Sequence, residues 1–121
     1  MKHTLQKIGF FRELPHGDPD GPSLREACAQ APGADDARIL AYLRAGHVYI
    51  ATMGPTTDVL DGATMVPPPH ICTDGHLAWP ADLVYYVERY HARLPREAVE
   101  HMAARAWQVP AAVDLRSLSL R

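Results

Sequence analysis

The chain has 121 residues, a net charge of −2, and 47 % hydrophobic and 21 % charged residues, enough for one domain that buries a core without metals or disulfides. Mild acidity argues against a protein built to grip nucleic acid, because neutralising phosphates takes an excess of lysine and arginine. No run approaches the roughly 18 apolar residues that span a bilayer, the amino terminus lacks a signal peptide's apolar core, and Cys28 and Cys72 are too few for a disulfide framework. These features point to a cytoplasmic protein with reduced thiols.

Residues 1–14 mix apolar and charged side chains, and Leu5, Ile8, Phe10, Phe11 and Leu14 predict extended structure broken at Gly9. Pro15 to Pro22 is a loop by composition. Its Asp18, Asp20 and Gly21 lack the ligand run and closing glutamate of a calcium loop. Ser23 followed by Glu26 is a capping box, which predicts a helix to about Gln30. Asp35 or Asp36 then caps a second helix through Ala45, with Ile39, Leu40 and Leu43 on one stripe. Gly46 closes it in the left-handed position. His47 to Met53 has the content of a strand, and apolar side chains on both faces make it a central one. Residues 54–69 read as a long loop ending in Pro67-Pro68-Pro69.

Asp74-Gly75, between His70–Thr73 and His76–Trp79, is a strong hairpin signal. A two-residue type I′ turn there sets Cys72 opposite Leu77 and His70 opposite Trp79, on one inward apolar side. Pro80 suits the first position of a helix, whose buried stripe is Leu83, Val87, Tyr90 and Leu94, widened by Val84 and His91. Asp82, Arg89 and Arg93 lie opposite, with Tyr85 beside them and Tyr86 at the boundary. Pro95 opens a fourth helix that faces inward through Val99, Met102, Ala103 and Ala106, and Trp107 closes the core. From about residue 108 the chain reads as a loosely held tail or a short strand near Val113 to Leu115. The expected fold is a single α+β domain over 1–121, about four short helices around a small, mainly antiparallel sheet containing a 70–79 β-hairpin.

Seven histidines invite a metal reading, and His70, Cys72 and His76 are the densest local group. In the expected hairpin His76 points away from the other two, whereas zinc needs three or four converging ligands. Glu97 and His101 share a helical face without a zinc-protease motif. Neither cysteine has a nucleophile context, and there is no phosphate-cradling glycine loop or dinucleotide fingerprint. No catalytic residue, metal or cofactor is therefore assigned. Arg89, Arg93 and Arg96 are read as cations near a helix C-terminus. What is left over is an aromatic flanked by charge at Asp82, Tyr85 and Arg89, the residue mix of interface hot spots.

Three segments carry a resemblance: Lys7 to Leu24, Ala41 to His47, and Thr73 to His91 with Leu94-Pro95. With the Trp79-Pro80-x-Asp82-Leu83-x-Tyr85-Tyr86-Val87 pattern they resemble a group of short uncharacterised proteins of high-GC Gram-positive bacteria. By size and lack of catalytic motifs that group is similar in type to the immunity proteins of toxin systems. The missing chemistry, the mild acidity and the charged tyrosine face point to a non-enzymatic protein-binding module, most concretely an immunity-type inhibitor that masks a toxin or enzyme. The expected contact set is Asp82, Tyr85, Tyr86 and Arg89 with Val66, Pro68 and Pro69 of the proline-rich loop. A homodimer, a structural subunit of a larger assembly, and a small enzyme or metal protein using His70, Cys72 or His76 are the other readings.

Overall fold

The apolar spacing of the first fourteen residues decides how the chain enters the fold, and the computed structural model, which describes residues 2–120, buries Leu5, Ile8, Phe10, Phe11 and Leu14. Two short strands, β1 (His3–Thr4) and β2 (Gln6–Lys7), flank Leu5, and Gly9 breaks the run at a left-handed φ of +74°. Helix α1 (Leu24–Ala27) is capped by Ser23, whose Oγ accepts from the Glu26 amide at 3.3 Å. Glu26 does not reach back. Glu13 completes the cap from outside, accepting from the amides of Leu24 (2.7 Å) and Arg25 (3.1 Å) and the hydroxyl of Ser23 (2.7 Å). Burial would raise the Glu13 pKa, but these donors outweigh it and hold the carboxyl at about 2. The helix ends well before Gln30 because its outgoing chain pairs elsewhere. Arg93 N–H donates to Ala27 O at 2.8 Å and Ala29 N–H to Tyr90 O at 3.1 Å.

Helix α2 (Asp36–Arg44) buries Ile39, Tyr42 and Leu43. Gly46, expected in a left-handed cap, does not have positive φ. It is needed for space: a Cβ there would overlap Cζ2 of Trp79 and sit 3.2 Å from Cys72 Cβ. Gly46→Ala is therefore expected to lower stability by about 1–3 kcal/mol, the usual cost of overpacking, measured by urea denaturation.

The main sheet runs β2-β7-β6-β3, with β3 (His47–Ile50), β6 (Ile71–Thr73) and β7 (Leu77–Pro80) antiparallel and β2 parallel to β7. β3 is an edge strand, not the central strand its two apolar faces suggested, and a bulge lies between Val48 and Ile50. The hairpin is present in a register shifted by two residues: Cys72 pairs with Trp79, Thr73 with Ala78 and Ile71 with Pro80. Positive φ occurs at Gly75 but not at Asp74, so a type I′ turn is excluded. Asp74 instead builds the turn through its side chain, Oδ1 accepting from the amides of His76 (2.8 Å) and Leu77 (2.7 Å). Because the shift is even, the inward side is unchanged. Cys72, Leu77 and Trp79 join Tyr42, Leu43, Leu83, Val87 and Met102 in the main core. Ala78, on the other face, packs with Leu5 and Leu118 in a second small cluster.

Residues 54–69 hold a second hairpin, β4 (Thr56–Thr57) with β5 (Met65–Val66). Pro80 ends β7 and does not open a helix; α3 (Leu83–Tyr90) follows Asp82 and stops at His91, a left-handed cap with φ 56°. His91 is thus a half-exposed cap residue, not a core histidine. Helix α4 (Arg96–Ala104) faces inward through Ala98 and Met102, while Ala103 and Ala106 are exposed. Trp107 packs partly buried on the core. The carboxy-terminal segment is tied back. A 3₁₀ turn at Leu115–Ser117 leads into β8 (Leu118–Ser119), which pairs parallel with β1, and Leu118 is buried. The strand expected at 113–115 thus falls later. Four short helices on a mainly antiparallel sheet make the fold α+β.

Candidate functional site

The α3 face singled out by charge and aromatic content is occupied from within. The turn between β4 and β5 places Asp58 against it, and the side chain of Asp58 is fully buried. Its Oδ2 accepts from the hydroxyls of Tyr85 and Tyr90, both at 2.6 Å, and from Arg89 at 3.0 Å. Its Oδ1 accepts from the amides of Leu60 (2.7 Å) and Asp61 (3.2 Å). Arg89 also reaches Asp61 at 2.9 Å. Burial pushes the Asp58 carboxyl up, but the two tyrosine hydroxyls and two amides outweigh it and the net shift is downward. Burial and the Asp58 hydrogen bond raise Tyr85, while for Tyr90 that hydrogen bond leads. The cluster is an ionised carboxylate saturated with donors, which fixes a loop and leaves no open valence for chemistry.

The other expected contact residues divide. Tyr86 is fully buried, its hydroxyl accepting from the Val59 amide at 3.1 Å, and burial pushes its pKa up to about 12. Asp82 is also buried, not on an exposed polar face. Its Oδ2 lies 2.9 Å from His16 Nε2, near enough for an ion pair but not aligned as a hydrogen bond. Val66 is fully buried, and Pro68 and Pro69 are half-buried. The structure does bring Val66 and Tyr85 to one cleft of about 380 Å³, with Leu43, Cys72 and Val84 and a rim closed by the Arg44–Glu88 ion pair at 2.7 Å.

His70, Cys72 and His76 do not converge. His70 Nδ1 accepts from the Thr52 amide at 2.9 Å, Cys72 is buried in the main core, and His76 stacks on His101 and His3 with centroids 4.4 and 5.7 Å away. Among the described residues no group of three or more His, Cys, Asp or Glu is placed to hold a metal. Burial raises both thiols, and Glu13 adds to the shift at Cys28, so neither is an activated nucleophile.

A second buried carboxylate, Asp74, organises the far end of the sheet. Its Oδ2 accepts from the Tyr42 hydroxyl and from His101 Nε2 at 3.0 Å, and its backbone oxygen accepts from Arg105 at 3.2 Å. Sequence reasoning missed both anchors. For Asp58 a local signal existed, since a side chain accepting from the amides two and three residues on is an Asx turn. For Asp74 the Asp-Gly pair pointed to a different turn type. Comparison with family models, curated proteins and solved structures finds no match for this chain.

Proposed function

We propose that the protein is a non-enzymatic binding module of the cytoplasm, of the immunity type that masks a surface of a partner toxin or enzyme, and that it makes this contact through the free edge of β3. The edge carries the reading. Among the described residues the exposed large hydrophobics are Val48 (49 %), Ile50 (42 %), Met53 (99 %) and Met65 (73 %), and three of these four lie on or just after β3. An edge strand presents unpaired backbone donors and acceptors, which natural proteins guard with lysine, proline, charge or a bulge. Between His47 and Met53 there is no charge and no proline, and the bulge is the one guard present. An extended partner segment added there gains main-chain hydrogen bonds and apolar contacts at alternate residues. Similarity in type to immunity proteins, by size and lack of catalytic motifs, supports the same class, while the inward use of Asp82, Tyr86 and Asp58 moves the contact from α3 to the sheet edge.

Affinity purification from the native host with wild type and with Ile50→Lys tests this. Ile50 is exposed, so the substitution should cost folding no more than about 0.5 kcal/mol. Wild type should recover one stoichiometric protein partner, and Ile50→Lys should weaken capture at least tenfold. Hydrogen exchange should show new protection of the amides at 47–50 in the complex. A wild-type protein that stays monomeric by light scattering and captures nothing would overturn the reading. A dimer lost in Ile50→Lys would assign the edge to a second copy of the chain instead.

A further inference from the structure

We propose that the His3–His76–His101 stack is an acid-sensitive latch, which joins β1 and α4 to the β6–β7 turn while its middle ring, His76, is neutral and releases β1 when His76 takes up a proton. The three rings come from three separate elements: His3 from β1, His76 from the start of β7's turn, and His101 from α4. His76 is the middle ring, 4.4 Å from His101 at an interplanar angle of 23° and 5.7 Å from His3 at 27°. Flat neutral rings gain from this arrangement, and charged ones repel.

The groups around the stack set the direction. From the turn there is the Asp74 carboxylate, from α2 the Tyr42 hydroxyl, and from α4 His101 and Arg105. Glu97, one turn before His101, forms no ion pair with it among the described residues. Asp74 Oδ2 already accepts from both Tyr42 and His101, so His101 carries its proton on Nε2 and is the imidazole that the carboxylate serves. A proton on His76 meets three cationic or protonatable neighbours, His101, His3 and Arg105, against this one shared anion. Burial and His101 lower the His76 pKa from its ordinary 6.5, with Asp74 opposing them. The sign follows by linkage. A histidine held below its unfolded value binds fewer protons folded than unfolded, so stability is full above 6.5 and is lost as pH falls from 6.5 through the lowered folded value.

The release has a structural consequence because β1 holds β8. His3 pairs with Leu118 and Thr4 with Ser119, and Leu5 N–H donates to Ser119 O at 2.8 Å. Together β1 and β8 cover the second apolar cluster of Leu5, Ala78 and Leu118. Acid would uncover that face of the sheet while the helical side stays packed.

The test is hydrogen exchange at pH 7.5 and 5.5, corrected for intrinsic rates, on wild type, His76→Phe and His3→Phe. Phenylalanine keeps a flat ring in the stack and cannot be protonated. In wild type, protection of the Leu5 amide should fall at least tenfold more than that of the β6–β7 ladder. In His76→Phe that excess should vanish, and in His3→Phe, a change at an exposed residue that folding tolerates, it should shrink. Histidine NMR titration should place the His76 midpoint below the ordinary imidazole value. Equal pH dependence in wild type and His3→Phe, or a His76 midpoint at or above the ordinary value, would overturn the proposal.

Discussion

Asp58→Ala is expected to lower stability by about 3–5 kcal/mol, the cost of removing one partner from a buried charged network, and to free the 58–64 turn. The substitution leaves Arg89 and the hydroxyls of Tyr85 and Tyr90 without their shared acceptor, and the amides of Leu60 and Asp61 without theirs. Against a total of roughly 5–15 kcal/mol for a domain, that is a large fraction. Asp58→Asn gives the sharper result. Both carboxylate oxygens accept and neither donates, so an amide NH₂ faces donors whichever way it is flipped. The isosteric change should therefore cost nearly as much as truncation, where an ordinary surface Asp→Asn costs little. Arg89→Ala should cost less than either, because the guanidinium is 44 % exposed and water can replace it. Urea denaturation of the three variants checks the order. An Asp58→Asn variant as stable as wild type would show that the carboxylate's charge and acceptor pattern are not what hold the turn.

Trp79→Ala is the second large effect, at about 3–5 kcal/mol for deleting a buried aromatic and leaving a cavity. Trp79 is fully buried at the centre of the main core, with the Tyr42 ring centroid 6.2 Å away and Gly46 against its six-membered ring. Its buried indole Nε1 has no hydrogen-bond partner among the described residues, which natural interiors seldom allow. Trp79→Phe removes that unmet donor along with the distal ring, so it should cost clearly less than the lost volume alone implies. It should also relieve Gly46→Ala, because the atoms that a Cβ at 46 meets, Cζ2 and Cη2, are absent from phenylalanine. The double variant should then be more stable than the sum of the single losses by 0.5 kcal/mol or more, the range of coupling between contacting residues. Strict additivity would show that Gly46 is not required by the indole.

The elements that periodicity defines were legible in the chain: α2, α3 and α4, the 70–79 hairpin and the inward side of Cys72, Leu77 and Trp79. What failed depended on partners distant in sequence. β3 carries apolar residues on both faces although it is an edge strand, and alternation cannot separate that from a strand covered on both sides. Tyr85 and Arg89 have the spacing of an exposed face, but spacing does not reveal that a turn nearly thirty residues upstream brings Asp58 onto it. Asp82 read as part of the exposed polar face of its helix, yet it is buried and His16 from the first loop lies against it. The hairpin register failed for a local reason: the Asp74 side chain forms the turn, and the backbone type inferred from Asp-Gly does not.

The pairing of β1 with β8 sets an order of events for the molecule. Residues three and four wait for residues 118 and 119, the last strand among the described elements to be synthesised. Closing so long a loop costs chain entropy that a two-residue ladder repays poorly, and contacts this far apart in sequence form slowly. During translation the β3–β6–β7 meander can assemble as soon as Pro80 has emerged, while Leu5 and Ala78 wait for Leu118 to cover them. The second face of the sheet therefore stays exposed until β8 has been made, long after the meander beneath it can form, and a chaperone has that interval in which to act.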